Sequence, residues 1–90
     1  MTMNFLHYDL DLDSGDVVEV ILDKQANVQL MDDTNFSNYK RGERFRYHGG
    51  LAKQSPFRLA APHAGHWNLV IDLGGYPGSV RASVETLKTH

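Results

Sequence analysis

Leu6, Tyr8, Leu10 and Leu12 alternate with His7, Asp9, Asp11 and Asp13 along the opening stretch "FLHYDLDLD". Successive side chains of an extended chain point to opposite faces, so this period of two predicts a strand with one face buried and one in water. "SGD" at 14–16 is a turn. "VVEVILD" (17–23) repeats the pattern with Val18, Val20 and Leu22 on one face, and "NVQLMDD" (27–33) repeats it with Val28 and Leu30. The short "KQAN" between them makes Val17 to Asp33 read as a hairpin. "TNFSNYKRGE" (34–43) is rich in turn formers, with Phe36 and Tyr39 as apolar anchors. It reads as an irregular loop or one helical turn capped by Asp33 or Thr34. "RFRYH" (44–48) alternates arginine outside with aromatic inside, as a strand would, and "GGLAKQS" is a turn or bulge. "PFRLAAP" (56–62) is a short strand bounded by prolines, as on a sheet edge. "HAG" is a tight turn that leads into the most hydrophobic strand, with Trp67, Leu69 and Ile71 on one face and Val70 partly covered on the other. The final strand (79–87) turns Val80, Ala82 and Val84 inward, and the tail "KTH" is expected to fray.

No stretch of ten or more residues carries a 3.6-residue period. About seven or eight short, mostly antiparallel strands separated by turn signals predict an all-β fold, a small β-sandwich of jelly-roll or prism-like type. The expected core is Leu10, Leu12, Val18, Val20, Leu22, Val28, Leu30, Phe45, Phe57, Leu59, Trp67, Leu69, Ile71, Val80, Ala82 and Val84.

Length limits what that core can do. The 90 residues make one domain, 1–90, with an ordered core of about 4–87. A chain of this size buries only roughly 60–65% of the surface its unfolded form exposes. Cysteine is absent, so neither disulfides nor thiolate metal sites contribute. No apolar run approaches the ~20 residues a membrane helix needs, and "MTMNFLHYDLDLD" has neither the basic nor the apolar region of a secretion signal. The expectation is a cytoplasmic protein of bacterial type.

Charge changes the picture, because the net −2 hides a segregation. Asp9, Asp11, Asp13, Asp16, Glu19, Asp23, Asp32 and Asp33 precede Ser37 against one base, Lys24. Lys40, Arg41, Arg44, Arg46, Lys53 and Arg58 then follow against one acid, Glu43. Such blocks either pair across strands or form faces of opposite sign. Tyr39, Arg44, Arg46, His48, Lys53 and Arg58 are therefore the candidate ligand-binding residues. Arginine offers bidentate donors to an anion and an aromatic ring covers an apolar ring face. The same stretch, with Lys40, Arg41 and Tyr47, could contact nucleic acid, but a pI of about 6.2 argues against it.

Other chemistry is poorly supported. His48, His63 and His66 are weak zinc candidates, since no acid lies near them in sequence to orient a ring. "DLDLDSGD" fails the calcium-loop pattern, with Ser14 and Val20 where Gly and Glu are needed; the remaining calcium alternative is Asp13, Asp16 and a carbonyl. No serine sits in a G-x-S-x-G elbow and no nucleophile–base–oxyanion set is visible, so no enzyme activity is expected. "RYHGGLAK" and "DLGGYPGS" precede no helix and are not phosphate loops, although glycines beside Arg46, His48 and Lys53 could offer backbone N–H groups to an anion. No cofactor is implied.

"ANVQLMDDTNFSNYKRGERFRYHGG", "SPFRLAAPHAGHWNLVIDLGG" and "GSVRASV", in that order, resemble the bacterial family known as domain of unknown function 1883, from about Asn4 to Leu87. The resemblance implies a small all-β domain of uncharacterised activity. Relatives fused to TIR-type signalling domains imply sensing or recognition; these residues include no TIR segment. More loosely, Gly65 and Trp67 opening "WNLVID" are similar to the penultimate strand of pre-peptidase C-terminal sandwich domains, which implies a core role for Trp67. The expected function is a non-enzymatic module binding a carbohydrate or anionic metabolite. The alternative is a protein-interaction or homo-oligomerisation domain.

Overall fold

A computed structural model describes residues 5–88. Its elements are β1 (Phe5–Leu12), β2 (Val17–Leu22), β3 (Ala26–Met31), α1 (Asp33–Lys40), β4 (His48–Ala52), β5 (Phe57–Ala60), β6 (Gly65–Asp72) and β7 (Ala82–Leu87). The strands form two antiparallel sheets, β1-β6-β3-β4 and β5-β2-β7, stacked as a sandwich. Two sheets form rather than the three faces of a prism. Every connection except the helical one from β3 to β4 passes from one sheet to the other.

The period of two places the core. Leu6, Tyr8 and Leu10 of β1 lie opposite Ile71, Leu69 and Trp67 of β6, while Val28 and Leu30 of β3 flank Ile71 and Leu69 from the other side. Facing them, Val18 and Val20 pair with Leu59 and Phe57, and Val20 and Leu22 with Val84 and Ala82. Val18, Val20, Val28, Leu30, Leu69 and Ile71 have no exposed surface. Ala26, Ala52 and Ala61 complete this cluster, with Leu10, Phe57, Leu59, Val80, Ala82 and Val84 partly buried at its margin.

A second, smaller cluster lies on the outer face of the four-stranded sheet. Met31, Phe36, Tyr39 and Val70 are buried there, with Phe5 and Phe45 against them. It exists because α1 lies across β6, which is why β6 is buried on both faces from Trp67 to Asp72. The helix is short and polar, so propensity alone would not hold it. It is fixed by its ends and two anchors. The Asp32 carboxylate accepts the Asn35 N–H at 2.8 Å, Phe36 and Tyr39 share a face one turn apart, and Gly42 closes the C-terminus at a φ of +73° while donating its N–H to the Tyr39 carbonyl.

Four expectations need correction. The helix has two turns and its cap is Asp32, not Asp33 or Thr34, because Asp33 turns away to bond β6 side chains. Val17 to Asp33 is no hairpin: β2 and β3 belong to different sheets, since Gln29 and Met31 are buried behind β3 and suit a strand flanked on both sides. Residues 44–47 are unpaired, and Phe45 enters the second cluster, edge-on to Tyr39 at 5.2 Å between ring centres. The strand starts instead at His48 and runs through the glycines. The tail is also tied in part, because Lys88 Nζ lies 2.7 Å from the buried Asp16 carboxylate. The expected fraying of Thr89 and His90 falls outside the described residues, as does Asn4 at the start of the expected core.

Gly49 shows why β4 needs glycine. Its φ is +119°, and a Cβ there would run into the Val28 carbonyl oxygen of the neighbouring strand. Gly49→Ala is expected to cost about 1–3 kcal/mol from backbone strain and overpacking, read as a lower denaturant midpoint. An unchanged midpoint would show that β4 is not held this closely.

Candidate ligand groove at the end of the sandwich

A groove of about 600 Å³ opens where β3 leaves the sheet, β4 enters it and the β5–β6 turn closes over. Leu30, Met31, Phe45 and Trp67 form its apolar wall, and Asp32, Asn35, Arg46, Tyr47, His48 and His63 its polar rim. Each rim residue has a structural reason to be there. His48 pairs with Leu30 across β3–β4, so it points toward the inner face, where its ring meets Trp67 edge-on at 5.8 Å. The His63 ring lies 4.8 Å from Trp67, and the His63 carbonyl accepts the indole N–H at 3.1 Å. The Arg46 N–H donates to Asn35 Oδ1 at 2.7 Å, which pins the segment before β4 onto α1.

The sequence-derived ligand residues do not form one site. Arg46 and His48 come together in the groove. Tyr39 is buried behind it, its hydroxyl donating to Asp72 Oδ2 at 2.6 Å. Burial first, and then this bond, push its phenol far above the ordinary tyrosine value, so it is a structural donor rather than a ring offered to a ligand. Lys53 lies beyond the far end of β4, roughly 16 Å along the strand from His48, beside a different depression. Arg58 lies on the other sheet, with Nε and Nη2 each 2.8 Å from Glu19 Oε2. Arg44 is exposed and outside the groove lining.

The histidines also separate. His48 and His63 flank Trp67, whereas His66 points out from β6 between two acids. Its Nδ1 lies 2.8 Å from Asp33 Oδ1 and its Nε2 3.2 Å from Asp9 Oδ1. The absence of an acid to orient it, inferred from chain proximity, is thus corrected by the fold. With both ring nitrogens facing carboxylates, His66 is placed for ion pairing rather than for holding a metal. Among the described residues no group of three His, Asp or Glu side chains is placed to hold a metal ion. In the weaker calcium alternative, the Lys88 ammonium stands against the Asp16 carboxylate.

Asn68 is the residue sequence reasoning missed. It is 1% exposed, donates to Asp33 Oδ1 at 2.8 Å and accepts from His7 Nε2 at 2.8 Å. It therefore joins β1, β6 and the first turn of α1, close behind the groove rim.

This cluster predicts a pH window. The Asp33 hydrogen bond, aided by Asp9 and Asp11, raises the His66 pKa. The Asn68 and His66 hydrogen bonds lower that of Asp33. A raised imidazole stabilises the fold below its ordinary value of about 6.5 and loses that contribution as pH rises through its folded value. A lowered carboxylate stabilises above its ordinary value of about 4 and loses the effect as pH falls through its folded one. The difference in melting temperature between the natural chain and His66→Gln should be greatest near pH 5–6, shrink at both ends, and weaken with salt because the pair is exposed. A difference that does not vary with pH would contradict this.

Among the described residues no helix is long and apolar enough to cross a membrane. No curated protein and no solved structure matches the chain. A family model described as Domain of unknown function (DUF1883) matches residues 3–90, so the chain belongs to that family.

Proposed function

We propose that the protein is a non-enzymatic recognition module that binds a small molecule, a carbohydrate or an anionic metabolite, in the groove beside Trp67. The observation that carries this reading is the convergence of Arg46, Tyr47, His48 and His63 from two separate connections onto one concave, partly aromatic surface. A concave apolar wall with a few convergent polar groups is the usual form of a small-ligand site. Heteronuclear NMR of the full chain with a panel of monosaccharides, sugar acids and nucleotides tests it. Shifts confined to the Trp67 indole N–H and the 46–49 amides support the reading. No shift there with any compound refutes it.

A second reading, a surface for another protein or a second copy, is favoured by a separate depression. There Tyr76 is 79% and Leu51 48% exposed, next to Leu73 and to the unpaired edge of β4. Light scattering across concentrations, with Leu51→Lys as comparison, tests it, and a monomer throughout counts against self-association.

A further inference from the structure

We propose that the group recognised in the groove is an oxyanion, a carboxylate or phosphate carried on a ring, and that a neutral sugar is not the ligand; this rests on the groove being the binding site. The argument is an inventory of what the rim has left to offer. Asn35 is spent on both ends: its Oδ1 accepts the Arg46 N–H and its Nδ2 donates to Asp32 Oδ1. Asp32 Oδ1 accepts that bond and the Asn35 backbone N–H, so the carboxylate serves the start of α1. His63 is turned toward its neighbour's carbonyl, with Nδ1 3.0 Å from Ala64 O. The Asn35 amide is thus committed, which leaves Asp32 Oδ2 as a carboxylate acceptor for a sugar hydroxyl without the amide beside it that would complete a grip on a vicinal pair.

What remains is rich in donors. Among the described residues the Arg46 guanidinium, the Tyr47 hydroxyl and the His48 ring nitrogens have no hydrogen-bond partner. Of the other arginines, Arg58 is engaged with Glu19 and Arg41 with Asn38 and Glu43, while Arg44 and Arg81 lie outside the groove lining. Arg46 therefore keeps an unpaired cation in a protein of net charge −2. Its main chain is held by Asn35, so the side chain starts from a fixed point. A guanidinium presents parallel N–H groups that match two oxygens of a carboxylate or phosphate. Tyr47, 46% exposed beside it, offers a ring face to the body of the ligand, and His48 offers a further N–H beside Trp67.

Isothermal titration at neutral pH with glucose, glucuronate, glucose 6-phosphate and inorganic phosphate tests the inference, because the three sugars share a ring and differ in one substituent. Glucuronate or glucose 6-phosphate should bind at least tenfold more tightly than glucose. The stronger of the two identifies carboxylate or phosphate as the preferred oxyanion, and inorganic phosphate alone should be weaker for want of a ring. Arg46→Gln should lower that affinity about 10- to 100-fold, the range for losing hydrogen bonds to a charged group, with an unchanged melting temperature. Tyr47→Ser should weaken the sugar anions more than inorganic phosphate. Equal binding of glucose and the anions, or full affinity in Arg46→Gln, overturns the oxyanion proposal while leaving the groove as a binding site. Failure of all four probes to bind, with no NMR shift at the groove across the wider panel, removes both.

Discussion

Trp67→Ala should lose about 3–5 kcal/mol of folding free energy, the range for truncating a large core aromatic. The indole is 4% exposed and fills the space where Leu10 of β1, His48 of β4 and the β5–β6 turn meet. Alanine would leave a void continuous with the groove and would strand the His63 carbonyl that accepts the indole N–H. In a domain whose whole stability is on the order of 5–15 kcal/mol, that loss removes a large share. Urea unfolding followed by circular dichroism measures it, with Trp67→Phe as a control that keeps part of the volume and should lose less. A loss under about 1 kcal/mol would mean that the indole does not fill this space. In the natural protein the emission should be that of a shielded indole and should move to longer wavelength on unfolding.

Asp72→Ala should be comparably severe, at about 3–5 kcal/mol, because three neutral donors each lose a bond to a charged acceptor, worth about 1.5–3 kcal/mol apiece and less than additive together. The carboxylate is 3% exposed and accepts from Asn27 Nδ2 at 2.8 Å, the Gly74 N–H at 2.9 Å and the Tyr39 hydroxyl at 2.6 Å. It thus joins β3, the turn after β6 and α1 at one point. Removing it leaves three donors without their acceptor, and unmet buried donors cost more than the net worth of the bonds they made. Tyr39→Phe removes only one of these bonds and should cost about 1.5–3 kcal/mol. Equal losses for the two variants would place the energy in the helix contact alone and contradict the three-way role of Asp72.

The strands were legible because their inner faces obey a period of two almost without interruption, from Leu6 to Leu12 and from Val18 to Leu22. What alternation does not encode is which strands share a sheet. The hairpin expected between β2 and β3 failed because proximity in sequence favoured it and only the burial of Gln29 and Met31 opposed it. The helix was hidden for a different reason. "DTNFSNYK" has two apolar anchors in eight residues, too few to establish a 3.6-residue period, and its stability comes from the sheet beneath it. Val70 was the available hint, an aliphatic on the supposed outer face of the most hydrophobic strand.

The site was half legible. Arg46 and His48 could be chosen because a basic and aromatic stretch stands out in an acidic chain. Tyr39 and Arg58 stood out for the same reason and have other employment, one with Asp72 and one with Glu19. Asp32, Asn35 and Asn68 carry no compositional signal at all; they matter through the turn of chain that brings α1 across β6.

The single connection that stays within one sheet, from Asp32 to Tyr47, also supplies most of the groove's polar rim. Its hold on the sandwich rests chiefly on Phe36, Tyr39 and Phe45. Arg46 and Tyr47 lie just past the last of these footholds, so an evolving lineage, or a protein engineer, can rewrite them without rerouting a strand, and one scaffold can be retuned to different ligands while its core is inherited unchanged.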